Sequence, residues 1–87
     1  MEPGERLSYQ YHHKRSEAWT IVEGVGTITL DGNEQEYLKG ETVLIPQGVK
    51  HRIENKGVEK VVFIEVQTGS YFGEDDIVRI QDDYNRV

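Results

Sequence analysis

Between Leu7 and Gln67 the chain is a succession of short runs rich in Val, Ile, Thr and Tyr, each closed off by Gly, Pro, Asn or Asp. The runs fall near Leu7–His12, Ala18–Glu23, Gly26–Leu30, Glu34–Leu38, Thr42–Ile45, Lys50–Glu54 and Val61–Gln67. Asp31-Gly32, set between two of them, is a tight-hairpin pair, because both central positions of such a turn need positive φ. Pro46-Gln47-Gly48 and Asn55-Lys56-Gly57 mark further turns. No stretch before Ser70 carries helical periodicity of useful length. Strands this short and this regularly spaced leave an all-β chain two solutions, a β-sandwich or a small closed barrel.

The segment Tyr71–Val87 changes character. Glu74-Asp75-Asp76 follows Gly73, and Ile77, Val78 and Ile80 come next. Acids at the start of a short helix are one reading, since the helix dipole favours them there. A turn followed by an edge strand is the expected one, which makes 1–87 one domain with 71–87 as a capping tail. Eighty-seven residues bury only about 60–65% of the surface of the unfolded chain. A bound metal or a second subunit would add stability, and open sheet edges point to a homodimer.

Composition removes several classes of function. With no cysteine, disulfides and thiolate metal sites are excluded, so any ion is held by His, carboxylate or amide oxygen. The formal charge of −6, with acids crowded between Glu74 and Asp83, argues against a nucleic-acid binder. It does not exclude an anionic small molecule, because the local field decides that. Lys14, Arg15, Lys50 and Arg52 lie close in sequence to the candidate metal ligands. No apolar run approaches the roughly 20 residues that span a bilayer, and no signal-like segment precedes the first strand. The expectation is a cytoplasmic protein that does not engage membranes.

Two spaced patterns carry the chemistry. In the first, Gly4 leads to Gln10, His12, Glu17 and Gly24; in the second, Gly40 leads to Pro46, Gly48, His51 and Asn55. On a strand, positions two apart share a face, so Gln10 and His12 point together while Tyr11 and His13 point away. A turn through 13–16 is expected to fold the chain back antiparallel and set Glu17 across from His12. Pro46 and Gly48 bring His51 in on another strand pair. Four side chains from three strands then meet in one barrel mouth. Two imidazoles, a carboxylate and a neutral amide oxygen suit one divalent cation of borderline hardness, with Zn, Mn, Co, Ni and Fe not distinguished. A lone strand histidine is usually an ordinary exposed or satisfied residue. Here two of the three histidines fall in register with a glutamate and framing Gly and Pro residues.

These residues resemble the paired motifs of the cupin superfamily, with Gln10 where the first His usually stands. More narrowly, the stretch from Leu7-Ser8-Tyr9-Gln10-Tyr11-His12-His13 through Lys14-Arg15-Ser16-Glu17-Ala18-Trp19 is similar to the isomerase domain of type II phosphomannose isomerases, which usually read Leu-Ser-x-Gln-x-His-His-x-Arg-x-Glu-His-Trp. The similarity resumes in Ile45-Pro46-Gln47-Gly48-Val49-Lys50-His51-Arg52 and is densest from Ile64-Glu65-Val66-Gln67 to Asp76-Ile77-Val78-Arg79. The resemblance covers essentially the whole chain. It implies a cupin jelly-roll barrel that interconverts mannose 6-phosphate and fructose 6-phosphate with a divalent metal. In that family the domain is commonly fused behind a sugar nucleotidyltransferase. No Gly-rich nucleotide-binding segment occurs here, so a stand-alone isomerase or the tail of a longer protein is expected. One departure stands out: Ala18 replaces the usual His, and by alternation position 18 points away from Glu17.

Such an isomerisation moves a proton between adjacent carbons through an enediolate, so charge on two sugar oxygens must be stabilised and a proton carried. Arg15, placed in the turn beside His12 and Glu17, is the first candidate for catalysis and for holding the sugar phosphate. Lys14, Lys50 and Arg79 are further candidates for the phosphate. Arg52 has opposite parity to His51, which counts against it. Glu65 is the candidate proton carrier, since its strand is otherwise apolar and burial would raise its pKa. An outward-facing carboxylate is the plainer reading of Glu65, and His51 or a metal-bound hydroxide is an alternative carrier. Trp19 reads as core, or as a wall of the sugar site. Two rivals share the same ligands: a metal-dependent cupin dioxygenase acting on a small organic molecule, and a non-catalytic sugar-phosphate-binding module.

Overall fold

The computed structural model describes residues 1–81, with the backbone alone for Glu74. The expectation for the end of the tail, 82–87, lies outside the described residues. The strands are β1 (Tyr9–His12), β2 (Arg15–Glu23), β3 (Gly26–Leu30), β4 (Asn33–Tyr37), β5 (Thr42–Ile45), β6 (His51–Glu54), β7 (Val62–Gly69) and β8 (Ile77–Gln81), with a 3-10 turn at Glu74–Asp76. A five-stranded sheet in the order β4-β3-β6-β1-β8 faces a three-stranded sheet in the order β5-β2-β7. Every pairing is antiparallel. Of the two all-β solutions, the chain adopts a jelly-roll barrel formed by two facing sheets.

Strand alternation decides what lies inside. Arg15, Glu17, Trp19 and Ile21 of β2 are buried, and the residues between them are only partly covered. Trp19, Ile21, Ile28, Val43, Ile45, Ile53 and Val61 form the core. β4, Asn-Glu-Gln-Glu-Tyr, is polar and almost wholly exposed, as suits a sheet edge that must not pair with other chains. At Asp31-Gly32 both φ values are positive, 45° and 84°, which confirms the tight hairpin joining β3 and β4. Beyond Gly73 the chain makes its 3-10 turn and then runs as β8, an edge strand on β1.

The lower end of the barrel is closed by the N-terminus. Met1 and Val61 exchange backbone hydrogen bonds, and the buried Asn55 amide donates to the carbonyls of Met1 and Glu59. Asn55, part of the second sequence pattern, therefore serves closure and not the metal site. At the upper end β1, β3, β5 and β7 finish and β2, β4, β6 and β8 begin.

Two expectations about local structure are corrected. β2 starts at Arg15, three residues before the expected Ala18. β1 and β2 are not a hairpin: β1 pairs with β6 and β8, and β2 pairs with β5 and β7. The His13-Lys14 turn instead carries the chain from one sheet to the other, so His12 and Glu17 face each other across the interior. Gly69 permits this crossing, because a Cβ there would overlap the Lys14 carbonyl and crowd Arg15.

Candidate metal centre

His12 ends β1, His51 begins β6, and Glu17 is the third residue of β2. The five-stranded sheet thus supplies both imidazoles and the facing sheet the carboxylate. One ligand atom from each lies within 4.8 Å of the others, and all three residues are buried. Glu17 Oε2 is 3.3 Å from His12 Nε2, and Glu17 Oε1 is 4.0 Å from His51 Nε2.

The second contacts set the ligands' orientation. His51 Nδ1 lies 2.9 Å from the Val49 carbonyl oxygen, which only an N–H can satisfy. Nε2 is then left with its lone pair, and this buried atom has no hydrogen-bond partner among the described residues. A carbonyl holding one ring nitrogen so that the other faces a cation is the usual support of a metal-binding histidine. Trp19 Nε1 donates to Glu17 Oε1 at 2.8 Å, and the indole packs edge-on against His51 at 5.4 Å. Two imidazoles, one carboxylate and an unsatisfied inward lone pair fit a divalent cation.

Gln10 sits on the same wall. It is the direct cross-strand partner of His51 and shares the parity of His12, and its amide oxygen accepts from the Ser8 hydroxyl at 2.5 Å. His13 is exposed, as its parity requires. Ala18 pairs with Leu44 and Val66 on the outer face of the three-stranded sheet. The residue that differs from the usual family pattern is therefore outside the barrel.

Arg15 is not a mouth residue waiting in a turn. It is buried, with Nε 3.1 Å from Glu17 Oε2, Nη1 3.1 Å from the Phe72 carbonyl and Nη2 3.2 Å from His12 Nε2. Glu65 pairs with Trp19 and Gln67 with Glu17, so both point to the inner wall, contrary to the plainer reading of Glu65. Both remain exposed, which marks the β7 side as the open mouth. Burial, followed by the Glu17 charge, raises the Glu65 pKa, and solvent reaching it through the mouth tempers that rise.

Lys14 is exposed in the crossing turn, its ammonium 5.2 Å from the centre of the Tyr71 ring. Lys50 is exposed just before β6. Arg79 is the cross-strand partner of Gln10 and so shares the inner wall of the larger sheet. Arg52 binds the Leu7 carbonyl and Gln81, a bracing role consistent with its parity. Sequence reasoning missed Asp76, whose carboxylate accepts from the backbone N–H of His13 and Lys14 and pins the β7–β8 connection beside the site. It also missed Trp19 as the group that orients Glu17. The spacing of two on one strand was the available signal.

Glu17 and His51 are in the ligating form near neutrality. Burial alone would raise the Glu17 carboxyl, but contacts with His12 and Trp19 and the His51 and His12 charges hold it at about 2, against 4.5 for a free side chain. Burial lowers the His51 pKa below 6.5, with the Val49 carbonyl and Glu17 opposing. Each folded value lies below the unfolded one, so each contribution is complete above the unfolded pKa and is lost as pH falls toward the folded pKa. Metal-free protein should lose stability first below pH 6.5 through His51 and again between 4.5 and 2 through Glu17. The Glu17 contribution is on the order of 3 kcal/mol. Thermal melts in chelator from neutrality down to about pH 3 measure this, and a flat melting temperature would contradict it.

A two-sheet jelly roll with a His-Glu-His cluster at its upper end defines the protein as a cupin. The cupin domain of Cnp3 from Schizosaccharomyces pombe superposes with a TM-score of 0.76 at 18% identity, covering 80% of this chain and 51% of that one. The profile of the family "Mannose-6-phosphate isomerase C-terminal" matches residues 1–82, and the chain belongs to that family. A mannose-1-phosphate guanylyltransferase from Salmonella montevideo is 48% identical over 86 residues, 99% of this chain but 18% of the relative's length. A provisionally assigned sugar phosphate isomerase from Acidithiobacillus ferrooxidans matches at TM-score 0.72 and 30% identity, covering 77% of this chain and 44% of the other. Among the described residues no helix is long and apolar enough to cross a membrane.

Proposed function

We propose that this domain is a metal-dependent aldose–ketose isomerase that interconverts mannose 6-phosphate and fructose 6-phosphate. The observation that carries the reading is the buried His12–Glu17–His51 cluster with Glu65 on the same inner wall, one inward-facing row below Glu17, in a member of this family. Gln10 is the fourth donor, turning its amide oxygen from Ser8 toward the centre. A divalent ion bound there would supply Lewis-acid stabilisation of negative charge on the sugar oxygens.

The chain's own residues supply the rest. Arg15, with its guanidinium against His12 and Glu17, adds fixed positive charge where the enediolate oxygens lie. Glu65 carries the proton between C1 and C2, helped by a raised pKa that lets a carboxyl both take and return it. Trp19 keeps Glu17 from turning toward the substrate. The sugar's phosphate is held by Lys14, exposed in the crossing turn, with Lys50 and Arg79 on the larger sheet as further cations for it.

The test is conversion of mannose 6-phosphate to fructose 6-phosphate, with and without chelator. Turnover that requires metal supports the reading. Oxygen uptake would indicate a dioxygenase instead, and sugar-phosphate binding without turnover a recognition module. Glu65→Gln should lower kcat roughly 10²- to 10⁴-fold with metal content unchanged. Wild-type turnover in that variant would remove Glu65 from the mechanism.

A further inference from the structure

Arg15 and a metal ion need the same atoms. The guanidinium lies on the two ligand atoms that face each other, with Nε 3.1 Å from Glu17 Oε2 and Nη2 3.2 Å from His12 Nε2. Those two acceptors are 3.3 Å apart. Nε–H and Nη2–H form one side of a rigid planar fork, which commonly grips both oxygens of a carboxylate. Here it grips one carboxylate oxygen and one ring nitrogen.

The two acceptors differ in what they have to give. A carboxylate oxygen has a second lone pair and can serve a donor and a cation together, whereas a neutral imidazole has one lone pair. A guanidinium only donates, so His12 Nε2 presents that lone pair to Nη2 and the ring proton stands on Nδ1. His12 Nδ1 is buried and has no hydrogen-bond partner among the described residues. No carbonyl therefore fixes this ring as Val49 fixes His51, and Arg15 takes that part. The same lone pair cannot also bind a metal.

The third contact of Arg15 involves no metal ligand. Nη1 donates to the Phe72 carbonyl at 3.1 Å, in the connection between β7 and β8. The ends of that connection are pinned to the crossing turn, Ser70 through the Lys14 carbonyl and Asp76 through the N–H groups of His13 and Lys14. Phe72 lies between these pins and is 48% exposed, so it is free to follow a turning guanidinium.

We propose that Arg15 guards the metal centre. It holds His12 in the ligating tautomer, and it gives up His12 Nε2 when the cluster takes a cation, swinging about its bond to the Phe72 carbonyl. The short tether keeps the displaced charge inside the site. Its repulsion of the ion, added to its hold on the ligand, makes the centre bind metal less tightly than the three ligands alone would. The proposal rests on the His12–Glu17–His51 ligand set and is independent of the reaction the domain performs.

Calorimetric zinc titrations of the wild type and of Arg15→Met, with circular dichroism to verify folding, test it. At saturation both chains hold one ion, so the difference lies in affinity. Arg15→Met should bind zinc roughly tenfold or more tightly than the wild type. Equal or weaker binding overturns the proposal, since a residue that only braces the ligands would weaken the site when removed. If neither chain binds zinc, the ligand set fails and the proposal with it. A crystal structure of the zinc-saturated wild type gives a second test that needs no variant. Nη2 should stand beyond hydrogen-bond reach of His12 Nε2, with Nη1 still on the Phe72 carbonyl. Zinc on His12 Nε2 with Nη2 unmoved overturns the proposal.

Discussion

Glu17→Gln is expected to empty the metal centre and to cost the metal-free protein more stability than any other single change in the site. Glutamine keeps the shape, and its amide oxygen can still accept from Trp19 Nε1, so packing is little disturbed. What disappears is the one negative charge between two imidazoles and the Arg15 guanidinium. Arg15 is 6% exposed and then becomes a buried cation without its counter-charge, a change that costs about 3–5 kcal/mol. For a domain this small that is a large part of the total stability. Metal affinity should fall at least about a thousandfold, because a neutral amide replaces the anionic ligand. Elemental analysis and urea titration in chelator measure the two effects. Metal retained at the wild-type level would remove Glu17 from the ligand set.

Arg15→Met is the second large effect, and it separates two roles for the same residue. Methionine fills the space of the stem without the guanidinium. The three nitrogens of Arg15 are engaged inside the site, with Glu17, Phe72 and His12. In the proposed isomerisation its charge would act at the reacting oxygens, and kcat should then fall on the order of 10³-fold while KM for mannose 6-phosphate changes little. If Arg15 instead clamped the phosphate, KM would rise and kcat would hold. Metal content should be unchanged in the variant, since the candidate ligands His12, Glu17 and His51 are intact. The metal-free form is destabilised because Glu17 loses a hydrogen-bonded counter-ion, and adding metal restores most of that loss by binding only the folded state.

Much of this was legible in the chain because strand alternation is a short-range rule. Gln10 with His12, Glu17 with Trp19, and Ala18 opposite to Glu17 all follow from a period of two, and the structure places each as that period requires. The Asp31-Gly32 turn was equally local, since its backbone demands follow from two residues. Arg15 and Glu65 were not legible in the same way. Each needed the identity of a neighbour far away in the chain: Arg15 lies against the Phe72 carbonyl and opposite Gly69, and Glu65 opposite Trp19. No spacing rule states which strand will lie beside another.

The sequence by itself determined the class of fold, the candidate ligands and the face on which each of them stands, because those depend on turn chemistry and alternation over a few residues. Tertiary structure alone decided that the cluster forms between two sheets instead of along one hairpin, and that Arg15 is buried within it. Those outcomes depend on which strands pair, and pairing is settled by the burial of the whole core at once.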